Sequence, residues 1–160
     1  MDADNRNSII EFSKTLSNIN QLKTRSRVDK EIKSLSDEAY SYLKRQTWCK
    51  KVEDGWLAEG WGYILSVFLF RIEPSSEAVD DYVWIVVGDI PPAYIDIESA
   101  QTVDDVLKSY VLIMRDWTHA VLNNLPLNES FPVSVEPSEK FANMLNSRLD
   151  LIESEILPPL

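Results

Sequence analysis

Two apolar runs, Trp61 to Ile72 and Tyr82 to Ile90, load both faces of an extended chain. A half-exposed strand alternates apolar with polar residues, whereas Ile64, Leu65, Val67, Phe68, Leu69 and Phe70 fill both sides, as do Val83, Trp84, Ile85, Val86 and Val87. Both runs predict central strands. The polar stretch between them, residues 73–81, is too long for a tight turn. It predicts an antiparallel hairpin whose register is set by the strands themselves.

Helical spacing precedes the sheet, in Ile9, Phe12, Leu16 and Ile19 and again in Val28, Ile32, Leu35, Ala39 and Leu43. Two helices, or one bent helix, are expected there; Ser26 followed by Asp29 is a helix-start signal, so the break falls near Thr24 to Arg27. A short edge strand is expected around Trp48 to Val52, with a turn at Glu53 to Gly55. After the second central strand, Pro91 and Pro92 cannot donate ladder hydrogen bonds, which predicts an interruption and a restart as an edge strand. Thr102 is placed to cap the next helix, with Asp104 and Asp105 complementing its positive end. Val103, Val106, Leu107, Tyr110, Met114, Trp117 and Val121 form its apolar stripe. Pro137 suits the first turn of a last helix that carries Phe141, Met144, Leu145, Leu149, Ile152 and Ile156 inward and ends at Pro158 and Pro159.

The expected fold class is α+β, in one domain over 1–160. Residues 1–46 form its helical N-terminal part, 47–97 an antiparallel sheet of three or four strands, and 102–123 and 137–156 two C-terminal helices packed on that sheet. The arrangement expected is a two-layer sandwich.

Charge narrows the range of partners. The chain has a net charge of −10, but residues 1–51 hold 11 Lys+Arg against 7 Asp+Glu, whereas residues 52–160 hold 5 against 19. The acidic body repels phosphate backbones and anionic lipid and favours solubility or a basic protein partner. The basic residues near the N-terminus interleave with Asp29 and Glu31 at helix-pairing distances, which describes a solvated helix face and argues against nucleic acid. The first residues lack the basic and apolar regions of a secretory signal, and no run approaches the about 20 apolar residues of a membrane span, so a soluble, cytoplasmic protein is expected. Cys49 is the single cysteine, which excludes an internal disulfide and multi-cysteine zinc sites.

One segment is distinctive. The string VWIVVGDIPPAYI, followed by YVLIMRDW and preceded by TWCKKVEDGW and VFLFRI, resembles a family of uncharacterised bacterial proteins. That family is marked by a strand, then Gly-Asp-Leu/Ile-Pro-Pro-Ala-Tyr-Ile/Leu, then a helix carrying Met-Arg-x-Trp. The resemblance covers roughly residues 47–156 and is most specific at Gly88 to Tyr94. It implies a single cytoplasmic domain in a bacterium and transfers no catalytic residue.

Candidate chemistry is sparse. Asp89, at the end of a buried strand beside Gly88, could act as an acid, a base or a ligand, or could bond the amides of its own turn. Tyr94 would place a phenol at the rim of that turn. Cys49 and His119 are the only thiol and imidazole, but His119 lies between the core positions Trp117 and Val121 and should point away from the sheet. Glu98, Asp104 and Asp105 bunch near a helix start without the spacing of a calcium loop, and helix capping is the stronger reading. No phosphate loop, dinucleotide fingerprint or nucleophile elbow is present, and no catalytic residue, metal or cofactor is expected. Trp48, Trp56, Trp61, Tyr63 and Trp84 make an aromatic excess that suits either a core or an interface. Trp61 and Trp84 are expected inside and Trp56 exposed.

The first functional reading is a non-enzymatic acidic interaction module that binds a basic partner, with an immunity-like protein as one concrete form. The alternative is a small-molecule enzyme or ligand-binding domain at the Gly88–Tyr94 turn, with binding residues Asp89, Tyr94 and Trp56 the candidates across these readings. A third is a homodimer formed through a sheet edge or the N-terminal helix.

Overall fold

A computed structural model of the protein describes residues 3–157. Among them lie four α-helices, α1 (Ala3–Ser13), α2 (Arg27–Lys44), α3 (Val103–Leu122) and α4 (Glu139–Leu151). Five strands, β1 (Ser17–Asn18), β2 (Cys49–Gly60), β3 (Leu65–Pro74), β4 (Tyr82–Gly88) and β5 (Ile90–Asp96), form one sheet in the order β1-β2-β3-β4-β5. Every neighbouring pair is antiparallel, and β1 is only two residues long. The fold is α+β, as the alternation of apolar runs implies.

The central strands β3 and β4 are buried on both faces, and this requirement for cover on each side sets the layering. Leu65, Val67, Leu69, Trp84, Val86 and Ile95 face α1, α3 and α4, meeting Ile9, Leu107, Tyr110, Met114, Trp117, Leu145 and Leu149. Phe68, Phe70, Ile72, Val83, Ile85 and Val87 face α2 through Leu35, Ala39, Tyr42 and Leu43. The molecule therefore has three layers, and the two-layer expectation is corrected. One helix covers the face that a two-layer arrangement would have left wet. Trp84 anchors the other core, fully buried, with its indole N–H donating to the Ala100 carbonyl at 2.9 Å.

Several boundaries differ from those expected. Helix α1 stops at Ser13, because Ser13 and Thr15 turn their hydroxyls back on the carbonyls of Ile10 and Phe12. Leu16 and Ile19 thus leave the helical pattern. The α2 start is as read: Ser26 and Asp29 form a reciprocal capping box. No turn occurs at Glu53 to Gly55. Strand β2 runs through that segment with a register shift between Val52 and Asp54. The Asp54 carboxylate accepts from the Gly55 amide at 2.9 Å and from Asn18 at 2.7 Å, stabilising the irregularity. Gly55 is needed there because a Cβ would lie 2.6 Å from the Phe70 ring.

The first central strand begins later than expected, at Leu65. Trp61 is half-buried, and Tyr63 and Ile64 are exposed in the β2–β3 turn. The edge strand β5 starts at Ile90 and contains both prolines, so the break before it shrinks to Asp89. Thr102 caps α3 by accepting from the Asp105 amide. Pro137 stands one residue ahead of the α4 cap, Ser138, which accepts from the Phe141 amide, so the proline precedes the first turn. Helix α4 passes at Ile152 into a π-helical turn, Ile152–Ile156. Pro158 and Pro159 lie outside the described residues.

Candidate functional site

The Gly88–Tyr94 segment comes first because two of the candidate residues, Asp89 and Tyr94, lie on it. Gly88 has φ +150°, and a Cβ there would lie 2.4 Å from the Ile64 carbonyl oxygen and 2.6 Å from Leu65 Cα. The backbone amide of Asp89 donates to the carbonyls of Tyr63 at 3.0 Å and Ile64 at 3.2 Å, locking the β4–β5 turn against the β2–β3 turn. Its carboxylate leaves the turn and accepts from Nε and Nη2 of Arg148 on α4, at 3.2 and 3.0 Å. The Pro91 carbonyl accepts from the buried Tyr110 hydroxyl at 2.6 Å. Arg115, in the Met-Arg-x-Trp portion of α3, grips Asp150 at 2.7 Å and Glu153 at 2.6 Å, while Met114 and Trp117 are core residues. These motif residues hold turns and helices together.

Asp89 and Tyr94 do not share a cavity. A groove of about 290 Å³ runs between Gly88 to Pro92 and the α4 residues Phe141, Met144, Leu145 and Arg148, with Asp89 on its wall. Tyr94 lies near the far end of β5, about 16 Å away at ~3.3 Å per residue. It packs edge-to-face on Trp48, with ring centroids 4.9 Å apart, and also meets Phe131 at 4.9 Å. Trp56 belongs to neither place. It is half-buried on β2 and stacks on Tyr82 at 6.3 Å, and Arg6 covers the Tyr82 ring at 5.8 Å.

Around Tyr94 opens a cleft of about 480 Å³. The β3–β4 loop contributes Glu77 and Asp80, and the end of β5 with the turn beyond it contributes Asp96 and Glu98. Trp48, Tyr82 and Tyr94 supply aromatic walls, and among the described residues no basic side chain lines the cleft. Antiparallel pairing brings the acids together, because Val83 stands opposite Asp96 and so sets the loop before β4 beside the end of β5. Asp96 accepts from the Ser99 amide at 2.7 Å, which fixes its carboxylate.

The electrostatics of two adjacent aspartates diverge. Burial pushes the Asp80 carboxyl above its usual range, and the negative charges of Glu98, Asp96 and Asp81 push it further. Asp81 is held below that range, chiefly by its bidentate bond to Arg6, whose Nε and Nη2 donate at 3.0 and 2.7 Å. Asp81 is thus satisfied by α1, whereas at Asp80 burial and the neighbouring acids outweigh the opposing positive charge. A carboxylate in that position is stabilised by an incoming cation, and aromatic faces add cation–π attraction.

A second groove, of about 300 Å³, adjoins the cleft and shares Tyr94 and Asp96 with it. Its walls are largely apolar, from Ile95, Leu112, Ile113 and Phe131, and Leu112 is 70% exposed.

The remaining candidates separate. Cys49 is buried in the α2-side core, and burial raises its thiol pKa, while His119 is exposed on α3 across the sheet beside Asn123. They form no thiol–imidazole couple. Asp104 and Asp105 belong to the first turn of α3. Among the described residues no group of three or more His, Cys, Asp or Glu is placed to hold a metal ion, and no helix is long and apolar enough to cross a membrane.

Sequence reasoning missed the cleft, although its signals are visible as EAVDD before β4 and IDIE at the end of β5. Each is an ordinary polar terminus until strand pairing joins them. In comparison with known proteins, no family model matches the chain, and no curated protein and no solved structure matches it.

Proposed function

We propose that the protein is a non-enzymatic, acidic interaction module that receives a basic partner in the cleft between the β3–β4 loop and the end of β5. One observation carries the reading: the cleft is lined by Glu77, Asp80 and Asp96 and aromatic walls, without a basic side chain among the described residues. Lysine and arginine complement both features, through ion pairing and through the faces of Trp and Tyr. An immunity-like protein that neutralises a basic toxin is one form such a module takes. The resemblance to a bacterial family and a cytoplasmic location belong to this proposal.

The test is affinity capture on immobilised protein, wild type against the triple variant Glu77→Gln, Asp80→Asn, Asp96→Asn, with retained proteins identified by mass spectrometry. The proposal expects basic proteins that the triple variant does not retain. Retention should fall as salt rises from ~0.1 to ~1 M, over which the Debye length shortens from about 10 to about 3 Å. Equal retention by both proteins would reject it.

The Gly88–Tyr94 turn supports a second reading, a small-molecule site, through the groove beside Asp89 and Arg148. That ion pair presents both charges at the groove and suits a zwitterionic ligand. Such a ligand should raise the melting temperature of the wild type but not of Asp89→Asn. A homodimer through a sheet edge draws less support, since β5 carries Pro91 and Pro92 and β2 has three register shifts and charged Lys50, Lys51 and Glu53.

A further inference from the structure

The acidic cleft opens beside an apolar groove, and the two are divided by the C-terminal half of the edge strand β5. Val83 and Tyr94 of the cleft belong to the α2-side face, whereas Ile95 of the groove belongs to the face under α3. Successive side chains of an extended segment point to opposite sides. A segment lying along β5 would therefore send one side chain into the cleft and the next into the groove.

We propose that cleft and groove form one bipartite docking surface for an extended segment of a partner protein in which Lys or Arg is immediately adjacent to a bulky apolar residue. The inference rests on the interaction-module reading and adds the partner's local chemistry to it. Charge complementarity commits the cleft to a cationic side chain, because its lining sets Glu77, Asp80 and Asp96 beside the faces of Trp48, Tyr82 and Tyr94, with no basic side chain among the described residues. The cleft volume of about 480 Å³ falls in the ~300–1,000 Å³ range of ligand pockets, so a long basic side chain has room. The groove supplies what a lone cation would leave unused. Leu112 keeps 70% of its surface in water on a helix whose other apolar residues are largely covered, and Ile113 and Phe131 extend the same apolar wall. Pro91 and Pro92 blunt the first half of β5 against pairing, so the segment's contact is confined to the stretch from Ala93 onward.

The test is selection of a displayed library of random dodecapeptides on the full chain, followed by fluorescence anisotropy on one enriched peptide. Enriched sequences should place Lys or Arg next to Leu, Ile, Met, Phe or Trp. Leu112→Ser, at an exposed position that leaves folding intact, should weaken that peptide about tenfold, equivalent to about 1.4 kcal/mol. Replacing the apolar residue of the peptide by Ser tests the same contact without altering the protein and should give a similar loss. Asp80→Asn with Asp96→Asn should weaken binding and flatten its salt dependence. Basic peptides without an apolar neighbour, insensitive to Leu112→Ser but sensitive to the acidic variants, overturn the bipartite surface and leave the acidic-cleft reading standing. Enrichment of no peptide, or of peptides without a basic residue, overturns both.

Discussion

Gly88→Ala is the substitution whose cost the structure sets most directly. The added Cβ would lie 2.4 Å from the Ile64 oxygen, 2.6 Å from Leu65 Cα and 2.9 Å from the Ile64 carbonyl carbon, all backbone atoms. Contact between non-bonded heavy atoms is favourable only near ~3.5–4.0 Å, so either the β2–β3 turn or the β4–β5 turn must move. A non-glycine residue at φ +150° adds backbone strain of about 1–3 kcal/mol. Overpacking adds about 1–3 kcal/mol more. The sum, roughly 2–6 kcal/mol, is a large part of the ~5–15 kcal/mol that holds a domain of this size together. At ~2–4 °C per kcal/mol, the melting temperature should fall by about 4–24 °C. Urea titration followed by tryptophan fluorescence measures the loss. Gly60→Ala is the control, since its nearest neighbours are the Ile32 side-chain end at 3.0 Å and the Ser66 hydroxyl at 3.1 Å, which can give way. A Gly88→Ala midpoint within ~0.5 kcal/mol of wild type would refute the interlocked-turn account.

Asp80→Asn should raise stability at neutral pH, because its folded pKa is raised and the ionised form is the one burial and its acidic neighbours oppose. That gain should vanish as pH falls through the raised pKa toward the ordinary value near 3.8. Asp81→Asn should do the opposite, costing about 1 kcal/mol above that value and progressively less as pH falls through the depressed pKa of Asp81; parallel pH–stability curves for the two variants would contradict the assignment. Asp89→Asn and Arg148→Ala should each cost less than about 1 kcal/mol in urea titration, because the Asp89 side chain is 71% exposed in this pair. Losses above ~2 kcal/mol would show that Asp89 supports the turn through its carboxylate. Trp84→Phe should cost about 2–4 kcal/mol, combining a smaller core residue with an orphaned Ala100 carbonyl. An unchanged urea midpoint would remove Trp84 from its anchoring role.

Elements whose signals are local were legible in the sequence. Ser26 with Asp29, Thr102 with Asp105, and the double-faced apolar runs of β3 and β4 each announce their structure within a few residues. The Glu53–Gly55 turn was misread because Asp-Gly is a turn signal in isolation. In the folded chain the same pair forms a bulge, with Asp54 bonded to Asn18 from β1 and Gly55 admitting the Phe70 ring. Both partners are distant in sequence. The third layer was implicit in the apolar loading of both strand faces, but assigning α2 to its own face required the sheet to be assembled.

The same contrast separates scaffold from site. Gly88, Pro91, Met114, Arg115 and Trp117, which belong to the Gly-Asp-Ile-Pro-Pro and Met-Arg-x-Trp motif, are engaged in turn locking, core packing and helix clamping. The acids of the cleft lie outside that motif, on a loop and at a strand end where substitution leaves the core intact. Asp81 shows how the two are kept apart: its pairing with Arg6 fastens α1 and leaves Asp80, one residue earlier, facing the cleft. A scaffold built this way can retain its turns and clamps while the charges around Tyr94 change. If the proposed docking surface is right, partner choice follows from residues 77–80 and 94–98 and from the exposed side of α3, and exchanging those segments should transfer specificity without moving the core.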